Sequence, residues 1–158
     1  MTMTLEPVTR DNWLEALELK VNQEQSSFVP TVAVSLAKVH VKPDGDRVEY
    51  LPFAIYDGDT MIGFMMHAFE EHTSDSYWIN GFHIDSRYQG KGYGKAALFL
   101  MIDYIKERFS QCQEIRLTVH KNNSIAYNLY RGIGFIETGD VWGDELVLRL
   151  PAAFLSHS

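Results

Sequence analysis

The sequence predicts a mixed α/β domain of the α+β class, with a central sheet covered by helices in the order β-α-α-β-β-β-α-β-α-β-β. Three observations carry this. Short strand-like segments alternate with stretches whose apolar residues recur at helical spacing. The apolar run Trp78 to Ile84, a glycine-rich turn and a helix-forming run from Ala96 follow one another directly. The chain has 158 residues, 46% of them hydrophobic, which suffices for one domain with a sizeable core.

Thr4 to Val8 reads as a short first strand. Asp11 to Val21 reads as a helix, with Trp13, Leu14, Leu17 and Val21 on one face and Thr9 or Asp11 as its cap. The polar run Asn22-Gln23-Glu24-Gln25-Ser26-Ser27 breaks it. Val32 to Val39 forms a second short helix, and Lys42-Pro43-Asp44-Gly45-Asp46 turns the chain. Leu51 to Tyr56 and Met61 to Phe69 are strands joined by Asp57-Gly58-Asp59, a hairpin signal. Glu70 to Ser76 is a polar loop. In the strand that follows, simple alternation puts Asn80 and Phe82 on one face and His83 on the other. Beyond the glycine-rich turn, a helix sets Ala97, Leu98, Met101, Ile102, Ile105 and Phe109 on one side. Glu114 to Val119 alternates, with Ile115, Leu117 and Val119 inward. Asn123 to Arg131 is a helix. Phe135 to Val141 and Glu145 to Leu150 pair around Gly143-Asp144.

The turn Gln89-Gly90-Lys91-Gly92-Tyr93-Gly94-Lys95 has the layout of an anion site. The first N–H groups of a helix lack internal partners, the macrodipole adds partial positive charge, and phosphate is the natural ligand. Glycines allow close approach and positive φ. A dinucleotide fingerprint is excluded because its last glycine would fall on Lys95, and a P-loop because no Gly-Lys-Ser/Thr occurs. The pattern Gln89-x-x-Gly92-x-Gly94 resembles the acyl-CoA pyrophosphate loop of the GNAT superfamily of N-acyltransferases. Asn123-x-x-Ala126-x-x-Leu129-Tyr130-x-x-x-Gly134-Phe135 resembles that family's C-terminal helix and the strand after it. A narrower likeness is to bacterial diamine (spermine/spermidine) N-acetyltransferases. It rests on Asn22 to Gln25 with Phe28-Val29, on Gly63-Phe64, on Trp78, and on Phe82-His83-Ile84-Asp85-x-Arg87-Tyr88-Gln89-Gly90-Lys91-Gly92. Lys42 to Glu49 looks divergent or inserted. The resemblance runs from about Leu5 to Leu150. It implies one N-acetyltransferase domain over 1–158 with a GNAT-like, mostly antiparallel central sheet.

The resemblance further implies an acyltransferase that moves acetyl from acetyl-CoA to a primary amine, in the first instance a small polyamine or diamine. That reaction needs a deprotonated amine, a donor for the developing oxyanion and a proton for the leaving thiolate. By resemblance, the backbone of Phe82, His83 and Ile84 carries the pantetheine arm, and the Ile84 N–H polarises the carbonyl. Gln89, Gly90, Lys91, Gly92, Tyr93, Gly94 and Lys95 hold the pyrophosphate. Asn123, Ala126 and Tyr130 share one helix face beside the cofactor. On spacing alone Tyr130 reads as a core tyrosine; the resemblance makes it the general acid. Tyrosine titrates near ~10 and a thiol near ~8.5, so full proton transfer to the thiolate is uphill by only ~2 kcal/mol. Glu24, Trp78 and Asn80 are the expected acceptor contacts, and Trp78, Trp142, Phe28 and Tyr127 offer faces for a cation. The general base stays open among Glu24, His83, Glu70, Glu71 and His72.

A net charge of −7 argues against nucleic acid and suits a small cationic amine, although an acidic surface also serves solubility. No stretch approaches the ~18 apolar residues of a membrane span, so no membrane partner is expected. Met1 to Pro7 lacks the basic and apolar regions of a signal peptide. The lone Cys112 forms no internal disulfide and points to the reducing cytoplasm. The six histidines lack closed-site spacing, so no metal is expected. A homodimer is the one protein partnership left open. Two other readings compete: a protein or peptide amine as acceptor, and a non-catalytic CoA-binding module, against which Tyr130 counts. A small amine needs a closed, acid-rimmed pocket, which the Glu24 and Glu70–Ser76 loops would complete; a peptide needs an open groove.

Overall fold

The computed structural model describes residues 2–151, and of Glu24 the backbone alone. Among the described residues, strands β1 (Met3–Pro7), β2 (Glu49–Asp57), β3 (Thr60–Phe69), β4 (Tyr77–Ile84), β5 (Glu114–His120), β6 (Ile136–Trp142) and β7 (Glu145–Pro151) form one sheet. Its order is β1-β2-β3-β4-β5-β7-β6. Every pairing is antiparallel except β4 with β5. The element order and the mostly antiparallel sheet agree with the sequence reading.

Helices α3 (Tyr93–Arg108) and α4 (Ser124–Ile133) cover one face, and α1 (Trp13–Leu17) and α2 (Val32–Val41) cover part of the other. The predicted inward face of α3 is fully buried at Ala97, Leu98, Met101, Ile102 and Ile105. Burying each large side chain there contributes roughly 1.5–3 kcal/mol. β3 is covered on both faces, which is why Met61 to Phe69 reads as a continuous apolar run rather than an alternating one. The hairpin turn between β2 and β3 is two residues long, with Gly58 at φ +59°.

The first helix differs from its prediction. It ends at Leu17, and its buried residue is Ala16, with Leu19 just beyond it; Trp13 and Leu14 are exposed. Neither Thr9 nor Asp11 caps it. Thr9 Oγ1 accepts from the Asp11 N–H, while the Asn12 carboxamide oxygen accepts from the Thr9 N–H. The helix stops because the chain is pulled away. The last bonds tighten to Glu18 N–H→Glu15 O and Leu19 N–H→Ala16 O. Lys20 then gives its N–H to the Asp85 carboxylate at 3.1 Å and takes the Ser86 N–H at 2.7 Å. Helix α2 is capped by Thr31, whose hydroxyl accepts from the Val34 N–H.

β4 carries the irregularity that shapes the molecule. Phe64 pairs with His83 and Met66 with Asn80, so β4 holds one residue more than β3 over this stretch. The extra residue is a bulge at Gly81, at φ +62°. It reverses the alternation. Phe82 and Ile84 pack with the α3 side and His83 faces Phe64 on the other, ring centroids 6.2 Å apart. The expectation that Asn80 and Phe82 share a face is therefore wrong, because a bulge shifts the period-two pattern by one. β4 and β5 pair only at Trp78 and Arg116. Beyond that point they part, and a cleft opens between them.

Candidate active site

Two cavities occupy the cleft. The first, about 400 Å³, lies between the end of β4, the glycine loop and α4. Phe82, His83, Ile84, Gln89, Gly90, Gly92, Tyr93, Gly94, Lys95, Asn123, Ala126 and Tyr130 all line it. Of the residues the sequence assigns to cofactor binding, Lys91 alone is not in its wall. Lys91 is exposed, with its ammonium 6.0 Å from the Tyr88 ring. Val21, Gln25, Val29, Ile125 and Leu129 also line it and were not foreseen.

The loop has the geometry its glycines promise. Gly90 and Gly92 sit at φ +77° and +84°, and a Cβ on either would meet nothing within 4 Å. The open space beside them is where a ligand can approach the backbone. Gly92 precedes α3, and no side chain caps the helix, so its first N–H groups are available to an anion. At Gly94 a Cβ would stand 3.3 Å from Leu129 Cδ2, so glycine lets α4 pack close against α3. The Tyr93 hydroxyl donates to Asp57 at 2.6 Å, anchoring the loop to the β2–β3 turn; that bond raises the Tyr93 pKa and lowers that of Asp57.

Backbone polarity along β4 is set by its pairing. The Asp85 N–H donates to the Ile62 carbonyl at 2.8 Å, towards β3. Successive N–H groups of an extended chain point to opposite edges. The Ile84 N–H therefore faces the open cleft. The Ile84 carbonyl, on the same edge, accepts from Gln89 Nε2 at 2.8 Å. Asp85 is buried; burial alone would raise its pKa, but bonds from Arg87 and from the Lys20 N–H hold it below the ordinary carboxylate value.

Asn123 starts α4, its side-chain oxygen accepting from the Ala126 N–H at 3.3 Å. Tyr130 lies two turns on. It is 6% exposed, and burial pushes its pKa well above the ordinary tyrosine value. Among the described residues no group bonds its hydroxyl. It is a protonated donor without a protein acceptor.

The second cavity, about 610 Å³, is lined by Trp78 and Asn80, by Phe28 and Trp142, and by the carboxylate residues Asp44, Glu70 and Glu145, with Lys38 as the basic residue of the wall. The Trp78 and Trp142 rings lie 5.3 Å apart. Three of the four aromatics proposed as cation faces thus meet here, whereas Tyr127 lies elsewhere and donates to Glu137. Asp44 and Glu145 were not foreseen; they come from a turn and a strand end distant in sequence. Among the base candidates, Glu70 lines this cavity and His83 the first, while Glu71 and His72 are exposed and line neither. His83 is buried, which lowers its pKa, and its Nδ1 lies 3.1 Å from the Gly81 carbonyl. The Glu24 side chain lies outside the described residues. Val29, Phe82 and Tyr130 line both cavities, so the two spaces meet at the tyrosine.

This arrangement has known counterparts. A family model described as "Acetyltransferase (GNAT) family" matches residues 18–135. The chain is 33% identical to a spermine/spermidine N(1)-acetyltransferase of Bacillus subtilis over 157 residues, covering 94% of this chain and 99% of the relative. A shorter match, 35% over 80 residues, is to N-alpha-acetyltransferase 30 of Saccharomyces cerevisiae, covering 47% of this chain and 44% of that one. In structure, the chain shares its fold with spermidine N-acetyltransferase from Vibrio cholerae, solved with CoA and spermine, at a TM-score of 0.75 and 19% identity over 99% of both chains. It likewise matches Mycobacterium smegmatis RimJ, solved with CoA-disulfide, at 0.73 and 20% identity over 99% of this chain and 85% of that one. Sequence match over most of the chain and fold match over nearly all of it agree with a cleft of two cavities joined at Tyr130: the chain belongs to the acetyltransferase (GNAT) family and is an N-acetyltransferase.

Proposed function

We propose that the protein transfers the acetyl group of acetyl-CoA to a primary amine of a small polyamine, by direct attack within the cleft. The observation that carries this is the meeting of the two cavities at Val29, Phe82 and Tyr130. The glycine-loop cavity offers helix N–H groups and open φ-positive glycines to a pyrophosphate, and the open edge of β4 to the pantetheine amides. The other cavity offers carboxylates and indole rings to a polycation. Relatives named for spermine and spermidine, and a fold neighbour solved with CoA and spermine, support the same pairing.

The amine nitrogen attacks the thioester carbonyl carbon. Its π pair moves onto oxygen, which the Ile84 N–H stabilises. As the intermediate collapses, the C–S bond breaks and the sulfur takes the proton of Tyr130 Oη. The nitrogen, having given its ammonium proton to solvent before the attack, loses a second proton to solvent as the amide forms, and Tyr130 is then reprotonated from solvent. The raised pKa keeps the Tyr130 hydroxyl protonated at neutral pH but makes full transfer to the thiolate costlier than the ordinary values imply, so its proton is shared as the C–S bond breaks. Trp78, Asn80 and the Glu24 loop orient the acceptor. The buried, free Cys112 takes no part; burial pushes its pKa up to about 11, and the intact thiol fits a cytoplasmic enzyme.

A thiol-release assay with acetyl-CoA across diamines, polyamines, neutral amino acids and peptides tests the reading. Turnover with spermidine or spermine well above that with amino acids and peptides is the expected result. Preference for a peptide amine, or CoA binding without turnover of any amine, overturns it.

A further inference from the structure

The connector between α1 and α2 belongs to both cavities. Val21 and Gln25 line the first, Phe28 and Pro30 the second, and Val29 both. It spans the cleft where β4 and β5 part. On the β5 side Phe28 packs on His120, with ring centroids 4.6 Å apart. On the β4 side it is held by the segment that leads into the glycine loop. Beyond the Lys20 contacts with Asp85 and Ser86, the Gln89 carboxamide joins three stretches of chain. Its Nε2 donates to the Ile84 carbonyl and, at 3.2 Å, to Gln25 Oε1; its Oε1 accepts from Asn22 Nδ2 at 3.4 Å. Asn22 Oδ1 in turn accepts from the Gln25 N–H at 3.1 Å, closing the ring of contacts.

Only an amide serves at position 89. It presents two N–H donors to two oxygens while its own oxygen takes a third bond. A glutamate would set its charge against the Ile84 and Gln25 oxygens, and a lysine has no acceptor for Asn22. The same residue opens the glycine loop, so whatever orders that loop orders this carboxamide.

We infer that Gln89 and Gln25 are positioning residues that couple the two cavities: CoA bound at the glycine loop fixes the Gln89 carboxamide, and Gln25 passes that order to the connector wall facing the amine. This rests on the acetyl-CoA and polyamine reading above. Coupling of this kind is reciprocal and spans roughly 5- to 150-fold in affinity. Its sign is positive, because a wall already ordered costs the second ligand less.

Calorimetry on the full chain tests it, with spermidine titrated in the absence and presence of saturating CoA. CoA should tighten spermidine binding at least several-fold. Folded Gln25→Ala and Gln89→Ala should each bring the ratio close to one, and the double variant should add nothing further. Gln25→Glu keeps an oxygen acceptor for Gln89 Nε2 and should retain the tightening, which a merely structural role would not predict. Equal spermidine affinity with and without CoA in the parent, or an undiminished ratio in folded Gln25→Ala, overturns the coupling. A parent that binds neither ligand defeats the functional reading itself, whereas one that binds both independently defeats the coupling alone. Should Gln89→Ala not fold or not bind CoA, Gln25→Ala and Gln25→Glu decide the matter.

Discussion

A Cβ on Gly81 would stand 2.7 Å from Ser35 Oγ. Ser35 is buried in α2, and among the described residues its hydroxyl has no hydrogen-bond partner. The bulge that redirects β4 into the active-site cleft is thus pressed against the helix that covers it. Two requirements converge on the glycine: φ of +62°, and the absence of a side chain.

Gly81→Ala should destabilise the protein by about 2–5 kcal/mol, combining ~1–2 for a left-handed non-glycine residue with ~1–3 for overpacking. Denaturant unfolding measures the loss. Adding Ser35→Ala should recover the packing share, because Oγ is the nearest atom and bonds to nothing among the described residues. A Gly81→Ala loss below about 0.5 kcal/mol, within the ordinary surface range, would show that the bulge yields easily.

Gly92→Val should abolish CoA binding in a protein that still folds. The site at φ +84° has no neighbour within 4 Å of a Cβ, so the fold meets no clash there. A β-branched side chain nevertheless disfavours that φ and fills the space a phosphate would occupy. Calorimetric titration of CoA into the folded variant is the check, and unchanged affinity would remove the phosphate cradle.

Much of this was legible beforehand, for local reasons. Helical spacing from Ala97 to Phe109 and the glycines of the loop report local geometry, which sequence encodes directly. The first helix was overextended because its end is set by Lys20 binding Asp85, a contact 65 residues apart along the chain. The faces of Asn80 and Phe82 were misassigned, although an isolated glycine within a strand run is itself a bulge signal. Asp44 and Glu145 gather in the second cavity only once β7 and the turn after α2 are in place, and no spacing in the chain announces that.

Polyamines should outperform neutral amines, and their KM should rise with ionic strength, as the Debye length shrinks from ~10 Å at 0.1 M salt to ~3 Å at 1 M. Glu70→Gln should raise the polyamine KM by up to about five-fold with little change in kcat, the scale of one exposed charge pair. Initial rates at several salt concentrations decide it; a KM indifferent to both salt and Glu70→Gln would mean that the acidic wall does not recognise the substrate.

His67 should make the fold acid-sensitive. It is fully buried among Phe69, Tyr77, Tyr104 and Phe109, with Nδ1 3.0 Å from the Trp78 carbonyl and Nε2 without a partner among the described residues. Burial lowers its pKa from 6.5 to about 4. A depressed histidine pKa means that the unfolded chain binds the proton more tightly. Its contribution is fully present above about pH 6.5 and is lost as pH falls towards about 4. The loss comes to about 3 kcal/mol in all. The difference in urea midpoint between pH 7 and pH 4.5 should shrink in His67→Phe, which fits the aromatic cluster and cannot titrate. An identical acid slope in both proteins would show that His67 titrates normally.

Tyr130→Phe should separate catalysis from structure cleanly. The phenyl ring keeps the packing against Phe135, whose centroid lies 5.8 Å away. Among the described residues the Tyr130 hydroxyl has no partner, so its removal leaves none of their buried groups unpaired, and stability should barely change. What is lost is the proton donor at the junction of the two cavities. Loss of a general acid costs ~10²–10⁴-fold in rate. The loss should fall on kcat while acetyl-CoA affinity stays nearly constant, because the proton moves only as the C–S bond breaks. Initial rates at saturating polyamine, alongside CoA calorimetry on the same preparation, measure both quantities. A kcat within a few-fold of the parent would mean that water protonates the thiolate and that Tyr130 serves only to separate the two cavities.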